Sequence, residues 1–345
     1  MLSQPQMMQS QMMQTQNQRQ PNDLCEERFP LLSRRHMIQT GLGLTALTAS
    51  QTRGLAVNHS ADKSPEPLLD RRGRIQQSVA FWCFHARGEK WSAEKVCQVA
   101  KDLKCVSVEL IPPEHWPLLK KYGLICAIAS NGVAGAAFKR GLNNRRFHEE
   151  VIAQTKKTID QCAEAKFPNV IAFVGYRWID PDNPRSGEIT RDDAFRNCVN
   201  GLKQLAQHAE KQGVTVCLEH LNTRDDSDPM KGHPGYQGDD LDFVASIIRN
   251  VGSPRVQLLF DIYHVQIMHG DLLRRIEQNK DILGHIHTAG VPGRGELDEH
   301  QEINYPAVMK KLRAIGYTGY VGQEFIPTRD PLAGLKHAVT ICDVA

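Results

Sequence analysis

From about residue 75 onward, the sequence alternates short runs of β-branched and other apolar residues with longer amphipathic stretches. This alternation is typical of strand–helix units that build a parallel sheet. Eight strand candidates occur in order: 78–84, 105–110, 124–129, 169–174, 214–219, 256–261, 283–288 and 320–324. Helices are predicted over 147–165, 191–212, 240–250, 306–315 and 331–343. Eight units in about 270 residues predict an α/β fold of the (β/α)8 TIM-barrel type, in which closure removes the exposed sheet edges.

The main alternative is an open, doubly wound sheet, and the length of 345 residues would also allow two domains. An open sheet of this kind is expected to carry a glycine-rich phosphate-binding turn after its first strand, and no such turn follows Phe84. The sequence also lacks a P-loop and a serine nucleophile elbow. The formal net charge of +3 is too small to indicate nucleic acid or anionic lipid as a partner.

The first 56 residues differ in composition from the rest of the chain. Residues 1–20 are mostly Gln and Met, a polar tract without the branched and aromatic side chains of a folded core. The pair Arg34-Arg35 then precedes a weakly apolar, charge-free run at 39–50. This run is too short for a membrane span, which needs about 20 apolar residues. Its arrangement resembles a twin-arginine export signal, the alternative being a basic tail without a targeting role.

These boundaries predict three parts of the chain. We expect the tail and signal peptide over 1–56, a linker over 57–74 and the barrel over 75–345. Signal cleavage would follow Ser50 or Ala56. The expected location is the periplasm if the signal is used and the cytoplasm if it is not, without a stable membrane anchor in either case.

The cysteines indicate neither a zinc ribbon nor a redox dithiol. There are nine, an odd number, and none belongs to a C-x-x-C pair. Several lie within apolar runs, where a free thiol behaves as a small buried hydrophobic group.

Acidic residues and one histidine stand at the ends of the last four predicted strands. They are Glu219, Asp261, His287 and Glu324, separated by 42, 26 and 37 residues. Each separation is about one strand–helix unit, so the four side chains are expected at one side of the barrel mouth, where barrel enzymes build their sites. Three adjacent carboxylates need a positive charge between them. A divalent metal supplies it, and this donor set suits Mg²⁺, Mn²⁺, Co²⁺ or Zn²⁺ without selecting one.

Four sequence blocks around these positions resemble the hydroxypyruvate isomerase branch of the xylose-isomerase-like TIM barrels. The blocks are LFDIYHVQ at 259–266, HIHTAGVPGR at 285–294, QEINYP at 301–306 and GYVGQEFIP at 319–327. Their order and spacing match the family specifically over about residues 210–330, and only the general barrel rhythm matches before that. This superfamily also includes sugar epimerases and an endonuclease branch.

The resemblance implies one divalent metal held by Glu219, Asp261, His287 and Glu324. It also implies interconversion of hydroxypyruvate and tartronate semialdehyde through an enediolate, with Glu219 and Glu324 as the proton-transfer pair in an order that stays open. At position 287 hydroxypyruvate isomerases often have Gln, whereas ketose 3-epimerases have His. A ketose 3-epimerase, or a dehydratase of the inosose or dehydroshikimate type, on the same metal site is therefore the alternative.

Four further residues are candidates for binding a small hydroxy-carbonyl substrate. His264 resembles the substrate-side histidine of the family, although it also suits an ordinary loop position. Arg294 lies in a Pro-Gly-Arg-Gly loop that could bring a guanidinium to the substrate. Arg146 and Arg177 are candidates for a substrate carboxylate, with a solvated surface position as the alternative. A homo-oligomer stays open.

Two other interpretations are disfavoured. The endonuclease branch needs three zinc ions and additional His and Asp ligands, but no histidine ends the second or third predicted strand. A binding module with a decayed site predicts loss of one or more of the four ligands, and all four are present.

Overall fold

The computed structural model describes residues 73–227 and 230–344. The predicted export segment, and the predicted linker up to residue 72, lie outside the described residues. Within the described ranges, each helix is too short or too polar to cross a membrane.

Seven parallel strands form one sheet, which agrees with the predicted βα repetition. The strands are β1 (Gln76–Ala80), β2 (Ser107–Glu109), β3 (Asn169–Phe173), β4 (Thr215–Glu219), β5 (Val256–Asp261), β6 (Leu283–Thr288) and β7 (Tyr320–Gln323). Their spatial order is β2-β1-β7-β6-β5-β4-β3, which leaves β2 and β3 as the two ends of the regular sheet.

The segment 124–129 fills the gap between β2 and β3. Val108 N of β2 donates to Ile125 O at 3.1 Å, and Ile171 N of β3 donates to Ala129 O at 3.0 Å. The predicted third strand is therefore in its expected place, and the predicted (β/α)8 TIM barrel is confirmed.

The segment 124–129 is irregular because side chains replace part of its backbone hydrogen bonding to the neighbouring strands. Ala127 N donates to Ser107 Oγ at 2.8 Å, and Asn169 Nδ2 donates to Ala127 O at 2.8 Å. Both polar groups of the Ala127 backbone are thus satisfied without regular strand pairing.

Ten α-helices accompany the strands among the described residues. They are α1 (Phe81–His85), α2 (Ala93–Asp102), α3 (Trp116–Tyr122), α4 (His148–Ala165), α5 (Arg191–Gln212), α6 (Leu241–Val251), α7 (Ile262–Met268), α8 (Leu272–Gln278), α9 (Tyr305–Ala314) and α10 (Pro331–Cys342). Local signals explain the bounds of the longest: the Thr190 side chain accepts from Asp193 N at the start of α5, and Gly213 ends the helix at a φ of 71°.

The predicted first strand, 78–84, was wrong in its second half. Residues 81–84 were expected to continue the first strand, but the strand ends at Ala80 and α1 follows. Phe81, Cys83 and Phe84 are buried in α1, and a short apolar run does not distinguish a strand from a buried helical turn.

The barrel interior and the layer between sheet and helices hold the core. Ile128, Ile171, Cys217 and Leu259 form a separate small buried cluster, and a larger one includes residues of the sheet and the surrounding helices. All eight cysteines in the described part of the chain are buried, as the apolar runs around several of them predict; Cys25 lies outside that part. Packing of this core holds the strands in place, and the C-terminal ends of the strands carry the polar residues of the candidate site.

Candidate active site

The four predicted metal ligands converge at the C-terminal ends of four neighbouring strands. Glu219 and Asp261 end β4 and β5, His287 lies in β6, and Glu324 follows β7. All four are buried, and one ligand atom of each lies within 4.8 Å of the others. The sheet register brings these side chains together, since Asp261 of β5 is paired with His287 of β6.

The carboxylate of Asp261 is held in a fixed orientation. Its Oδ1 accepts from Tyr263 N at 2.8 Å and from His264 N at 3.3 Å, and so caps the first turn of α7. Its Oδ2 lies 3.8 Å from Arg294 Nη2. Burial raises the pKa of Asp261 to about 7, although Arg294 opposes the shift. One oxygen therefore serves the helix while the other faces the site.

His264 lies behind Asp261. Its Nδ1 accepts from Asn222 N at 3.1 Å, which places the proton of the neutral ring on Nε2. That Nε2 is 3.6 Å from Asp261 Oδ2 and has no hydrogen-bond partner among the described residues. His264 is fully buried and does not line the cavity described below, so the structure places it against a candidate ligand instead of bringing it to the expected substrate position.

The two glutamates have different surroundings. Glu324 Oε1 accepts from Trp82 Nε1 at 2.9 Å, and its Oε2 accepts from Arg294 Nη2 at 2.7 Å. Burial alone would raise the pKa of Glu324, but His287 and Arg294 outweigh it and hold that pKa well below its usual range. For Glu219, burial dominates and raises the pKa. Its described side-chain contact is His287 Nδ1 at 3.5 Å.

The donor set fits a divalent metal. Three carboxylates and one imidazole are common ligands of Mg²⁺, Mn²⁺, Co²⁺ and Zn²⁺. His287 Nδ1 lies 3.0 Å from Glu324 and 3.5 Å from Glu219, yet it has no hydrogen-bond partner within the described residues. A buried ring nitrogen of this kind, facing several carboxylates, is the arrangement expected of a ligand.

A cavity of about 280 Å³ opens beside these residues. Glu219, Glu324 and Arg294 contribute to its charged side, and Phe138 and Phe173 contribute to its apolar side. It can hold a small molecule with one polar and one apolar face.

Of the three arginines predicted to bind substrate, only Arg294 lines this cavity. It is buried, and its side chain also donates to the carbonyl of Met230. Arg146 lies over the ring of Phe147, and Arg177 borders a different surface depression with Asp239. Neither Arg146 nor Arg177 lines the cavity that Glu219 and Glu324 line, so substrate binding by these two arginines stays a prediction.

Four further residues lie at the site without having been predicted from the sequence: Trp82 and His233 in the cavity wall, and Glu109 and His285 in the barrel interior. A signal existed for Glu109, which is the penultimate residue of the predicted second strand. His285 and His287 are two residues apart in β6, so their side chains lie on the same face of the strand, toward the barrel interior. Burial lowers the pKa of His233 to about 3, with Arg294 adding to the shift, so this ring is neutral.

Comparison with known proteins agrees with this architecture. Residues 97–341 match the model of a family described as the xylose isomerase-like TIM barrel. A 2-oxo-tetronate isomerase of Cupriavidus necator is 38% identical over 137 residues, which cover 40% of this chain and 50% of that protein. Hydroxypyruvate isomerase of Escherichia coli is 31% identical over 138 residues, with the same two coverages of 40% and 50%. The chain thus spans about half the length of these curated relatives.

Solved structures show the same fold. The crystal structure of an AP endonuclease, family 2, from Brucella melitensis has a TM-score of 0.63 to this chain at 25% identity. The match covers 76% of this chain and 97% of that one. The predicted resemblance to the hydroxypyruvate isomerase branch of this fold is confirmed by these comparisons.

Proposed function

This chain belongs to the xylose isomerase-like TIM barrel family, and from that premise we propose that it is a metal-dependent isomerase that interconverts hydroxypyruvate and tartronate semialdehyde. The observation that carries the proposal is the convergence of Glu219, Asp261, His287 and Glu324 beside a cavity lined by Arg294. Relatives named as isomerases of short oxo acids support the choice of substrate.

The metal would be held by these four side chains, where it would polarise the substrate oxygens and offset the charge that develops on them. The protein must then move one proton between adjacent carbons: C3 of hydroxypyruvate loses it, and C2 receives one. At the same time the C3 hydroxyl becomes the aldehyde and the C2 carbonyl becomes a hydroxyl. No oxidant or reductant is consumed.

Glu219 is the better candidate to take the first proton. Both oxygens of Glu324 already accept hydrogen bonds, from Trp82 and Arg294. Glu219 has no such donor among the described side chains besides the more distant His287. Its carboxylate therefore keeps free lone pairs in the cavity, as a general base requires.

Arg294 is the side chain suited to the substrate carboxylate. Its guanidinium lies 5.3 Å from the Trp82 ring and is fully buried, so water competes little with an anionic ligand. Binding there would orient an oxo acid with its reacting carbons toward the glutamates.

A second substrate deserves the same assay. The relative from Cupriavidus necator is named for 2-oxo-tetronate, an oxo acid with one carbon more than hydroxypyruvate. The same proton transfer would apply to it. We do not propose endonuclease activity, because Ser130 and Asn131, and not histidines, follow the third strand segment.

The test is metal content and turnover of both oxo acids by the purified full chain. Glu219→Gln and Glu324→Gln should each lower kcat by about 100- to 10,000-fold. The exposed Glu149→Gln is the matched control and should behave as the wild type. Metal binding without turnover of either acid would transfer the proposal to a ketose 3-epimerase or dehydratase, and a protein that binds no metal would refute it.

The export segment is also part of the proposal. We place the mature protein in the periplasm because of Arg34-Arg35 and the run at 39–50. Fractionation of cells expressing the full chain, beside an Arg34→Lys/Arg35→Lys variant, tests this. An unchanged distribution would refute a twin-arginine route.

A further inference from the structure

A second buried cluster lies directly against the candidate metal ligands. Glu109 at the end of β2 meets His285 and His287 of β6, and all three side chains are fully buried. Glu109 Oε1 is 3.0 Å from His287 Nε2, and its Oε2 is 3.1 Å from His285 Nε2. We call these three residues the Glu109 cluster.

We propose that Glu109 is a positioning residue that accepts the Nε2 proton of His287 in a hydrogen bond and so turns His287 Nδ1 toward Glu219 and Glu324. The proposal rests on the proposed function, because it concerns the presentation of one ligand of the proposed metal. Glu109 itself is not among the residues that line the cavity.

The two nitrogens of His287 show why such a partner is needed. An imidazole can present either nitrogen to a metal, and the hydrogen bond made by the other nitrogen decides which. Here Nε2 lies 3.0 Å from Glu109 Oε1 and Nδ1 lies 3.0 Å from Glu324 Oε2, and neither nitrogen has another hydrogen-bond partner among the described residues. A carboxylate behind the ring therefore selects the nitrogen that reaches the site.

His285 fixes Glu109 from a second direction. Its ring is nearly perpendicular to that of His287, with an interplanar angle of 88° and centroids 4.9 Å apart. His285 Nε2 lies 3.2 Å from Glu109 Oε1, the oxygen that His287 Nε2 also approaches, and 3.1 Å from Glu109 Oε2. Glu109 is fully buried, so its carboxylate depends on these two histidines for its polar contacts.

The strand opposite provides the space for this arrangement. A Cβ atom at Gly322 of β7 would lie 1.8 Å from Glu109 Oε1 and 2.9 Å from His287 Cδ2. Gly322 is paired with His287 in the sheet register. The absence of a side chain at this one position is what admits the Glu109 carboxylate beside His287.

The Glu109 cluster could alternatively hold a second metal ion. Its three donors meet the distance requirement for a site. That arrangement would use both nitrogens of His287 as ligands and leave no proton between His287 and Glu109. Metal stoichiometry separates the two cases.

The experiment uses the full chain, prepared free of metal and titrated with Co²⁺ by calorimetry and by visible absorption. Variants are Glu109→Ala, which removes the acceptor, and Glu109→Gln, which keeps an acceptor oxygen. Asn169→Ala is the control, since Asn169 is a buried polar residue whose amide donates to Ala127 O, away from the cluster. The wild type should bind one Co²⁺. Glu109→Ala should bind it about 10- to 100-fold more weakly with an altered spectrum, and Glu109→Gln should recover much of the loss.

A second readout does not need the metal. In protein labelled with ¹⁵N-histidine, the Nε2–H proton of His287 should resonate downfield and exchange slowly in the metal-free and Zn²⁺-loaded states. This signal should be lost in Glu109→Ala and retained in Asn169→Ala.

The outcomes separate the inference from the proposed function. Equal Co²⁺ affinity and spectrum in the wild type and Glu109→Ala would overturn the positioning role alone. Two bound ions, one of them lost in Glu109→Ala, would overturn it in favour of a second metal site. A wild type that binds no Co²⁺ would refute the proposed function, and the Nε2–H signal would still decide the role of Glu109.

Discussion

Replacement of Gly322 by alanine tests how tightly the barrel interior is built around Glu109. The backbone at this position lies outside the left-handed region, so alanine causes no conformational strain of its own. Its Cβ, however, would lie 1.8 Å from Glu109 Oε1, well short of the 3.4 Å at which ordinary contact begins. The carboxylate must therefore move.

The cost follows from what holds Glu109. It cannot move into solvent because it is fully buried, and a shift breaks its contact with His285 at 3.1 Å or with His287 at 3.0 Å. Overpacking a core typically costs about 1–3 kcal/mol, and loss of a hydrogen bond to a charged group costs about 1.5–3 kcal/mol. We expect Gly322→Ala to lower the free energy of unfolding by roughly 2.5–6 kcal/mol, as the combined range of these two effects.

Urea denaturation followed by circular dichroism measures this change. Gly284→Ala is the control, because its Cβ would lie 2.7 Å from Gln257 Cβ and 2.8 Å from Cys217 Sγ without reaching Glu109. Both variants should be destabilised. Only Gly322→Ala should be partly relieved when combined with Glu109→Ala, with a coupling energy of about 1–3 kcal/mol. A loss below about 0.5 kcal/mol for Gly322→Ala, or additive effects in the double variant, would refute this reasoning.

Three further predictions concern other parts of the molecule. His269 accepts a hydrogen bond from Leu241 N, and burial lowers the pKa of its ring, so the unfolded state binds the proton more readily. The free energy of unfolding should therefore fall as the pH drops below about 6.5. In urea titrations, His269→Gln should lose less of its stability between pH 7 and pH 5 than the wild type. The Glu296 carboxylate accepts hydrogen bonds from Thr328 N at 2.8 Å and from Arg329 N at 3.0 Å. Glu296→Ala should therefore lower the free energy of unfolding by about 1–3 kcal/mol, and an unchanged denaturation midpoint would contradict this. Burial raises the pKa of Cys97 to about 11. A thiol reagent at pH 8 should therefore modify the buried cysteines at least about 100-fold more slowly in the folded protein than in urea. Equal rates would show that these thiols are accessible in the folded protein.

Local pattern was sufficient to predict most of the barrel. The strands β5 and β6 have the predicted bounds, and α5 spans the predicted residues, because each is an apolar or amphipathic run with clear ends. The prediction failed where the pattern was ambiguous, at α1, and was incomplete at segment 124–129, where side chains of Ser107 and Asn169 replace backbone pairing. Such a replacement depends on residues distant in the chain.

The sequence by itself determined which four residues could form the site, since each stands at a strand end and the barrel brings strand ends together. The spacing along the chain carries that information for Glu219, Asp261, His287 and Glu324. It does not carry the orientation of loops, which is why Arg294 enters the cavity and Arg146 does not.

Only the tertiary structure decided which groups surround the ligands. Trp82 donates to Glu324 from 242 residues away in sequence, Arg294 donates to it from the loop after β6, and Glu109 reaches His287 from a strand 178 residues away. These contacts depend on barrel closure and on the space at Gly322, and hydrophobic periodicity records neither. Strand ends are a local property of the chain, whereas the partners of a buried charge are a property of the closed barrel.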